Sequence, residues 1–297
     1  MIIYSLLFIT LLLGFIAMGL LVRPKHWSRL LLGCSLAVFI HLYGGWFLIS
    51  YYTRYVFDAV AVVLLLAQLL RKGIPLNQKS PWRIAVNVLL TLVLAALSVL
   101  YFTGTRPAPP VAQLHFPFKA GKYFVLQGGR GLPSNLFHGN SPHSIYALDI
   151  VKLNRAGQRA NRVFSKNLND YFIFADTIYS PCDGIVARAI ADNPDNIPPN
   201  HTRGPHNLNG VVIQANDYTV FLGHMKQACV FVKAGDVVKT GTPLGLAGNS
   251  GFSIEPHLHI QVHEKGHNGE PWYRQRPMYV SFSGHEYLLF QLIEAAP

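Results

Sequence analysis

Residues 1–104 hold a single acidic side chain, Asp58, and nearly all of the long apolar runs in the chain. A stretch so poor in polar positions has little surface to offer water, and the structure open to it is a set of helices in a bilayer. Residues 1–22, 30–50, 55–70 and 84–102 are expected as four transmembrane helices, the third short and marked by Tyr51, Tyr52 and Tyr55 as interfacial anchors. The first run has neither the basic start nor the small-residue cleavage site of a signal peptide, so it reads as a retained helix. Asp58, beside the tyrosines, reads as interfacial. The spans offer no paired charges and no obvious broken helix, so anchoring in the lipid bilayer is their expected task.

Basic residues orient the spans. The first loop carries Arg23, Lys25 and Arg29, and the third carries Arg71, Lys72, Lys79 and Arg83, whereas the second has only Arg54. Positive loops stay in the cytoplasm, which puts both chain ends, and everything after Phe102, on the other side. Residues 1–104 have a net charge of +7 and residues 105–297 of +4, out of +11 for the chain. The basic balance thus lies largely beside the spans. No basic run interleaved with aromatics is present, which argues against a nucleic-acid partner.

Residues 105–118 read as a Pro-rich linker and residues 119–297 as one antiparallel all-β domain. Short β-like runs at 123–126, 146–151, 184–189, 211–214 and 220–222 alternate with Gly, Pro, Asn and Asp, and no segment sustains a helical period. Residues 192–209 form a turn-rich insertion, expected as a surface loop near the site, with His201 and His206 as polar loop residues. Cys34, Cys182 and Cys229 fit no zinc-finger or redox spacing. Cys182 and Cys229 could pair in an oxidising compartment, but unpaired thiols are the expectation.

The chemistry concentrates between Gly223 and Val262. His224 opens this stretch, and the pair His257 and His259 closes it after a Gly-Asn-Ser-Gly turn. Residues two apart in a strand share a face, so the two imidazoles stand side by side, suited to one metal ligand and one base. With thirteen histidines in the chain a bare His-x-His says little. Among these turns, and with a third histidine upstream, it marks a metal or catalytic site.

The order Cys182-Asp183-Gly184-Ile185-Val186, His224-Met225, Lys233-Ala234-Gly235-Asp236, Gly248-Asn249-Ser250-Gly251 and Pro256-His257-Leu258-His259 resembles the catalytic β-domain of lysostaphin/LytM-type zinc endopeptidases, over roughly residues 120–265. That resemblance implies an antiparallel sheet of the duplicated hybrid motif type, one zinc ion and peptidoglycan cross-links as substrate. It also implies a bacterial cytoplasmic membrane location with the peptidase outside. Tyr146-Ala147-Leu148-Asp149-Ile150 resembles the family strand that ends in its aspartate ligand, and His259 matches another ligand. The family's short His-to-Asp spacing would need a histidine where Ile145 stands, which leaves His138 and His143 as candidates for the remaining ligand. His143 shares a strand face with Asp149, whereas His138 better matches a family branch with a longer segment before the strand, and His138 is preferred.

Two imidazoles and a carboxylate with an open fourth position are a catalytic zinc set. His257 is then the general base, and His224 holds the water or stabilises the oxyanion, with the two roles exchangeable. The alternative is a non-catalytic peptidoglycan-binding regulator that activates a separate wall hydrolase, against which the retained histidines count. A lipoyl- or biotinyl-type carrier, suggested by the Val-Lys-x-Gly-Asp rhythm of residues 232–241, has no suitable lysine. A separate envelope protein as regulator stays open. Asn249, Gly235, Asp236 and Gly241 read as turn residues; His263, His267 and His285 read as surface or satisfied polar residues.

Overall fold

The computed structural model describes residues 2–22, 24, 26–71, 80–200, 207–266 and 269–295. Arg23, Lys25, Lys72 and Lys79 of the basic loops, and His201, His206 and His267, lie outside the described residues. The chain divides into two units, residues 1–102 with 156–158, and residues 103–155 with 159–297.

The first unit contains α1 (Ile2–Val22), α2 (Trp27–Tyr43), α3 (Thr53–Leu69) and α4 (Pro81–Thr103). Of these, α1 over Ser5–Val22 and α4 are long and apolar enough to cross a membrane. The expected second span, 30–50, is not one helix: α2 stops at Tyr43, and after Gly44 a 3-10 turn covers Gly45–Leu48. Gly44 sits where any Cβ would strike the Ile40 carbonyl oxygen and the Trp46 indole, so the chain breaks there. Ala17, Leu36, Ile40, Trp46 and Phe57 form a shared core. Asp58 Oδ2 lies 2.7 Å from Nδ1 of His41, pairing α3 with α2. The outward surface is apolar, with Phe15 80% and Leu92 61% exposed.

The second unit is the β-domain. Its strands are β1 (Val111–Leu114), β2 (Gly121–Gln127), β3 (Leu148–Leu153), β4 (Thr177–Tyr179), β5 (Gly184–Ile190), β6 (Gly210–Gln214), β7 (Tyr218–Gly223) and β8 (Met225–Val230). They continue with β9 (Val237–Val238), β10 (Pro243–Ala247), β11 (Leu258–Glu264), β12 (Pro277–Phe282), β13 (His285–Glu286) and β14 (Leu292–Ala295). The main sheet runs β14-β2-β3-β11-β7-β6-β5-β9, with β1, β12 and β13 attached, and β4-β10-β8 form a small second sheet. The pairing is antiparallel except between β1 and β12.

Two boundaries differ from expectation. Part of the 105–118 linker is structure, because β1 pairs in parallel with β12 and buries Ala112 and Leu114. Within the expected 119–297 domain the sheet runs on past residue 265, since β14 pairs with β2 and β12 with β11. Strand β3 starts at Leu148 rather than residue 146, because Ala147 N–H closes a turn onto the Ser144 carbonyl.

Leu148 and Ile150 of β3, Val220 and Leu222 of β7, and Leu258, Ile260 and Val262 of β11 meet in one core, each at most 1% exposed. Burying each such side chain contributes about 1.5–3 kcal/mol, which clamps the three strands that carry the site. Cys182 and Cys229 are free thiols, Cys182 buried and its pKa pushed up to about 12 by that burial.

Candidate metal centre

Sheet register assembles the site. Strand β11 lies between β3 and β7, and its register sets His259 opposite Asp149 on one side and Gly223 on the other. The next residue, His224, holds φ at 61°, in the left-handed region, and so turns the chain out of β7 into β8. A histidine kept in that region is a strained position of the kind found at functional sites. His257 immediately precedes β11, two residues from His259, so both imidazoles stand on the same side as Asp149.

The distances are short. Asp149 Oδ1 lies 3.1 Å from His259 Nδ1 and 3.5 Å from His257 Nε2, and Asp149 Oδ2 lies 3.6 Å from His138 Nε2. His138 arrives from the turn between β2 and β3. His138, Asp149 and His259 each offer a ligand atom, all within 4.8 Å of one another. The His224 ring centroid is 4.4 Å from that of His257 and 5.8 Å from that of His259. His143 stays outside the cluster, exposed and edge-on to the Tyr273 ring at 6.0 Å.

Hydrogen bonds fix where each imidazole carries its proton, because carbonyl oxygens only accept. His224 Nδ1–H donates to the Ser250 carbonyl at 2.7 Å, and His257 Nδ1–H to the Glu255 carbonyl at 2.8 Å. His138 Nδ1–H donates to Asn135 Oδ1 at 3.1 Å, the amide being held in that sense by Nδ2 donating to the carbonyls of Ile145 and Ala147. His259 is reversed: its Nε2–H donates to Gln261 Oε1 at 2.8 Å, so its Nδ1 faces the site. The orienting groups are amide and backbone oxygens rather than an acid.

Lone pairs of His138, His257 and His259 therefore converge on one carboxylate. Burial lowers the pKa of His138 to about 4 against an upward pull from Asp149, and burial holds His224 well below the ordinary histidine range. Burial by itself would raise Asp149, but His138, His257 and His259 hold it well below the usual carboxylate range. A buried carboxylate ringed by nitrogen lone pairs needs a shared proton or a cation between them. Two imidazoles and one carboxylate fit zinc, and the set would leave a coordination position for solvent.

The turn after β10 supports His257. Asn249, read from the sequence as a turn residue, lies in this turn, where it is fully buried and makes a polar hub, while Gly251 takes the left-handed position at φ 78°. Asn249 Oδ1 accepts from Ser253 Oγ at 2.6 Å, and its Nδ2 donates to the Asn196 carbonyl at 2.8 Å. Asp195 Oδ1 accepts from Asn249 N–H at 2.6 Å, so the described part of the 192–209 insertion straps this turn. Gly235 and Gly241 do occupy left-handed positions, at φ 92° and 83°. His263 is fully buried, and His285 is exposed on β13.

Sequence reasoning missed Gln261 and Asn135. A signal for Gln261 existed: residues 257, 259, 261 and 263 are polar at strand period, on the face opposite Leu258, Ile260 and Val262.

Residues 170–271 match the sequence model of peptidase family M23. An uncharacterised metalloprotease of Buchnera aphidicola subsp. Baizongia pistaciae is 44% identical over 55 residues, which is 18% of this chain and 14% of that protein's length. The catalytic domain of the prophage-encoded M23 protein EnpA from Enterococcus faecalis is 18% identical, with 52% of this chain and 88% of that one covered at a TM-score of 0.32. The catalytic domain of lysostaphin from Staphylococcus simulans is also 18% identical, with 50% and 84% covered at 0.28. Residues 170–271 are thus similar to peptidase family M23, with His224, His257 and His259 inside the matched stretch and His138 and Asp149 upstream of it.

Proposed function

We propose that this chain is a membrane-anchored zinc endopeptidase that hydrolyses peptide bonds in peptidoglycan stem peptides or cross-links outside the cytoplasmic membrane. One observation carries this reading: the lone pairs of His138, His257 and His259 converge on the buried carboxylate of Asp149. His138, Asp149 and His259 would hold the metal. Zinc, when bound, supplies a Lewis acid for the scissile carbonyl and lowers the pKa of bound water towards about 7.

The chain's own residues do the remaining work. His257, anchored through Nδ1–H, has Nε2 free to take the proton of the attacking water and return it to the leaving amine. His224 also presents Nε2 as an acceptor in its neutral form, which suits it to hold that water. Once protonated, either ring can donate to the developing oxyanion. Asn135, Gln261 and the Ser250 and Glu255 carbonyls keep the rings in register.

The membrane half of the reading rests on α1 and α4, on the apolar exposed faces of the helices and on the basic loops. We take α2 and α3, each 17 residues, as two further spans of minimal length.

The test uses full-length protein in detergent, loaded with zinc and incubated with isolated peptidoglycan, with products read by mass spectrometry. New fragments cut at a peptide bond are expected. His257→Ala should reduce their rate by about 10²–10⁴-fold, the usual worth of a general base, while zinc content is kept. Asp149→Asn should lose both. A folded, zinc-bound wild type that yields no fragments, alone or with envelope extract, would leave the regulator reading in its place.

A further inference from the structure

Strand β11 continues the polar stripe beyond His259 into two buried residues for which hydrolysis has no direct use. Gln261 is 8% exposed and His263 is fully buried. Buried polar side chains cost stability unless their hydrogen bonds are made, and here every one points the same way. His263 Nδ1–H donates to the Gln275 carbonyl at 2.9 Å, which leaves His263 Nε2 as an acceptor. Gln261 Nε2 fills that acceptor at 3.2 Å and also donates to the His143 carbonyl at 3.3 Å. The amide oxygen is thereby forced towards His259, where it accepts from Nε2 at 2.8 Å.

The consequence lies at the far side of the His259 ring. With the proton fixed on Nε2, Nδ1 is the atom turned to Asp149, whereas His138 is oriented to present Nε2. An imidazole free to choose its tautomer would present a proton instead of a lone pair for part of the time. A neighbouring acceptor that removes this choice raises ligand basicity and metal affinity.

We infer that Gln261 is a positioning residue, held by His263 and the His143 carbonyl, that locks His259 with its proton on Nε2 and so commits Nδ1 to the metal. This inference rests on the zinc-peptidase reading above. It also assigns a task to His143: the backbone carbonyl, not the ring, serves the site.

Zinc affinity of the full chain in detergent, measured by chelator competition, tests this together with long-range proton–nitrogen correlation spectra of histidine-labelled protein. Gln261→Met keeps the length and removes the acceptor; affinity should fall about 10–100-fold. Gln261→Glu keeps an acceptor for His259 but sets a carboxylate oxygen against the His143 carbonyl. It should lower the melting temperature of the zinc-free protein as Gln261→Met does, yet retain zinc affinity within about threefold. A purely packing role would move the two variants together in both measurements. Unchanged affinity in Gln261→Met overturns the inference, as does equal loss in both variants. Should Gln261→Met not fold, the zinc-loaded wild-type spectrum decides: His259 with its proton on Nδ1 overturns the inference, and a proton on Nε2 sustains it. A wild type that binds no zinc would sink the parent reading instead.

Discussion

His263 shows how far a single buried ring can commit a structure to one charge state. Both ring nitrogens are engaged, Nδ1 as donor to Gln275 and Nε2 as acceptor from Gln261, so a second proton can enter only by breaking the bond to Gln261. Burial lowers its pKa from 6.5, opposed by its hydrogen bonds, while His143 and His259 are its titratable neighbours. The folded chain therefore holds His263 neutral where the unfolded chain already binds a proton. Its contribution to stability is intact above pH 6.5 and is lost as the pH falls below that value, towards the lower folded pKa. Each pH unit in that window removes up to about 1.4 kcal/mol. Zinc-free full-length protein should thus show a steeper loss of unfolding midpoint between pH 7.5 and 5.5 than a His263→Phe variant of the same protein. Equal slopes would mean that His263 titrates as freely in the fold as in the unfolded chain.

At the scale of elements, the segment between β3 and β4 reaches the site through one buried ion pair. Arg159 Nε lies 2.8 Å from Glu255 Oε1, and its second contact, to Oε2, is 2.9 Å, with the residues only 3% and 5% exposed. The Glu255 carbonyl is the acceptor that anchors His257. Removing one partner strands a buried charge, so Arg159→Met should destabilise the β-domain by about 3–5 kcal/mol, whereas Arg159→Met with Glu255→Met should cost far less. Denaturant unfolding of the full chain checks this, and a double variant as unstable as the single one would defeat it. The pair was not legible in the sequence, because residues 159 and 255 are joined only by the fold. The His257–His259 pair was legible, since strand alternation is local and needs only two residues. Strand β1 was hidden for the opposite reason: a Pro-rich approach looks extended and solvated until a distant partner, β12, supplies its hydrogen bonds. Proton placement on the histidines depends on backbone and amide oxygens from the β2–β3, β10–β11 and β11–β12 connections and from β11 itself, so no spacing rule could have yielded it.

For the whole molecule, the charge pattern and the helix lengths make different demands. On the charge pattern of the loops, α1 would enter the cytoplasm and α4 leave it, and among the described residues these two helices are the ones long and apolar enough to span a membrane. Two crossings or four give the β-domain the same side, because α2 and α3 add or remove a pair. What changes is the connection between α2 and α3, which carries Ile49 at 37% exposure. With four crossings that connection faces outward, like the β-domain; with two it stays with the basic loops. We take four, since His41 of α2 and Asp58 of α3 would then cross lipid satisfied by each other rather than bare. A chain freed of Cys34, Cys182 and Cys229 and carrying Ile49→Cys should therefore react with a membrane-impermeant maleimide added to spheroplasts. Gln78→Cys, in the basic third loop, should react only after lysis. Protection of both positions would reduce the anchor to α1 and α4, while labelling of Gln78→Cys in intact spheroplasts would invert the orientation and take the metal centre away from its proposed substrate.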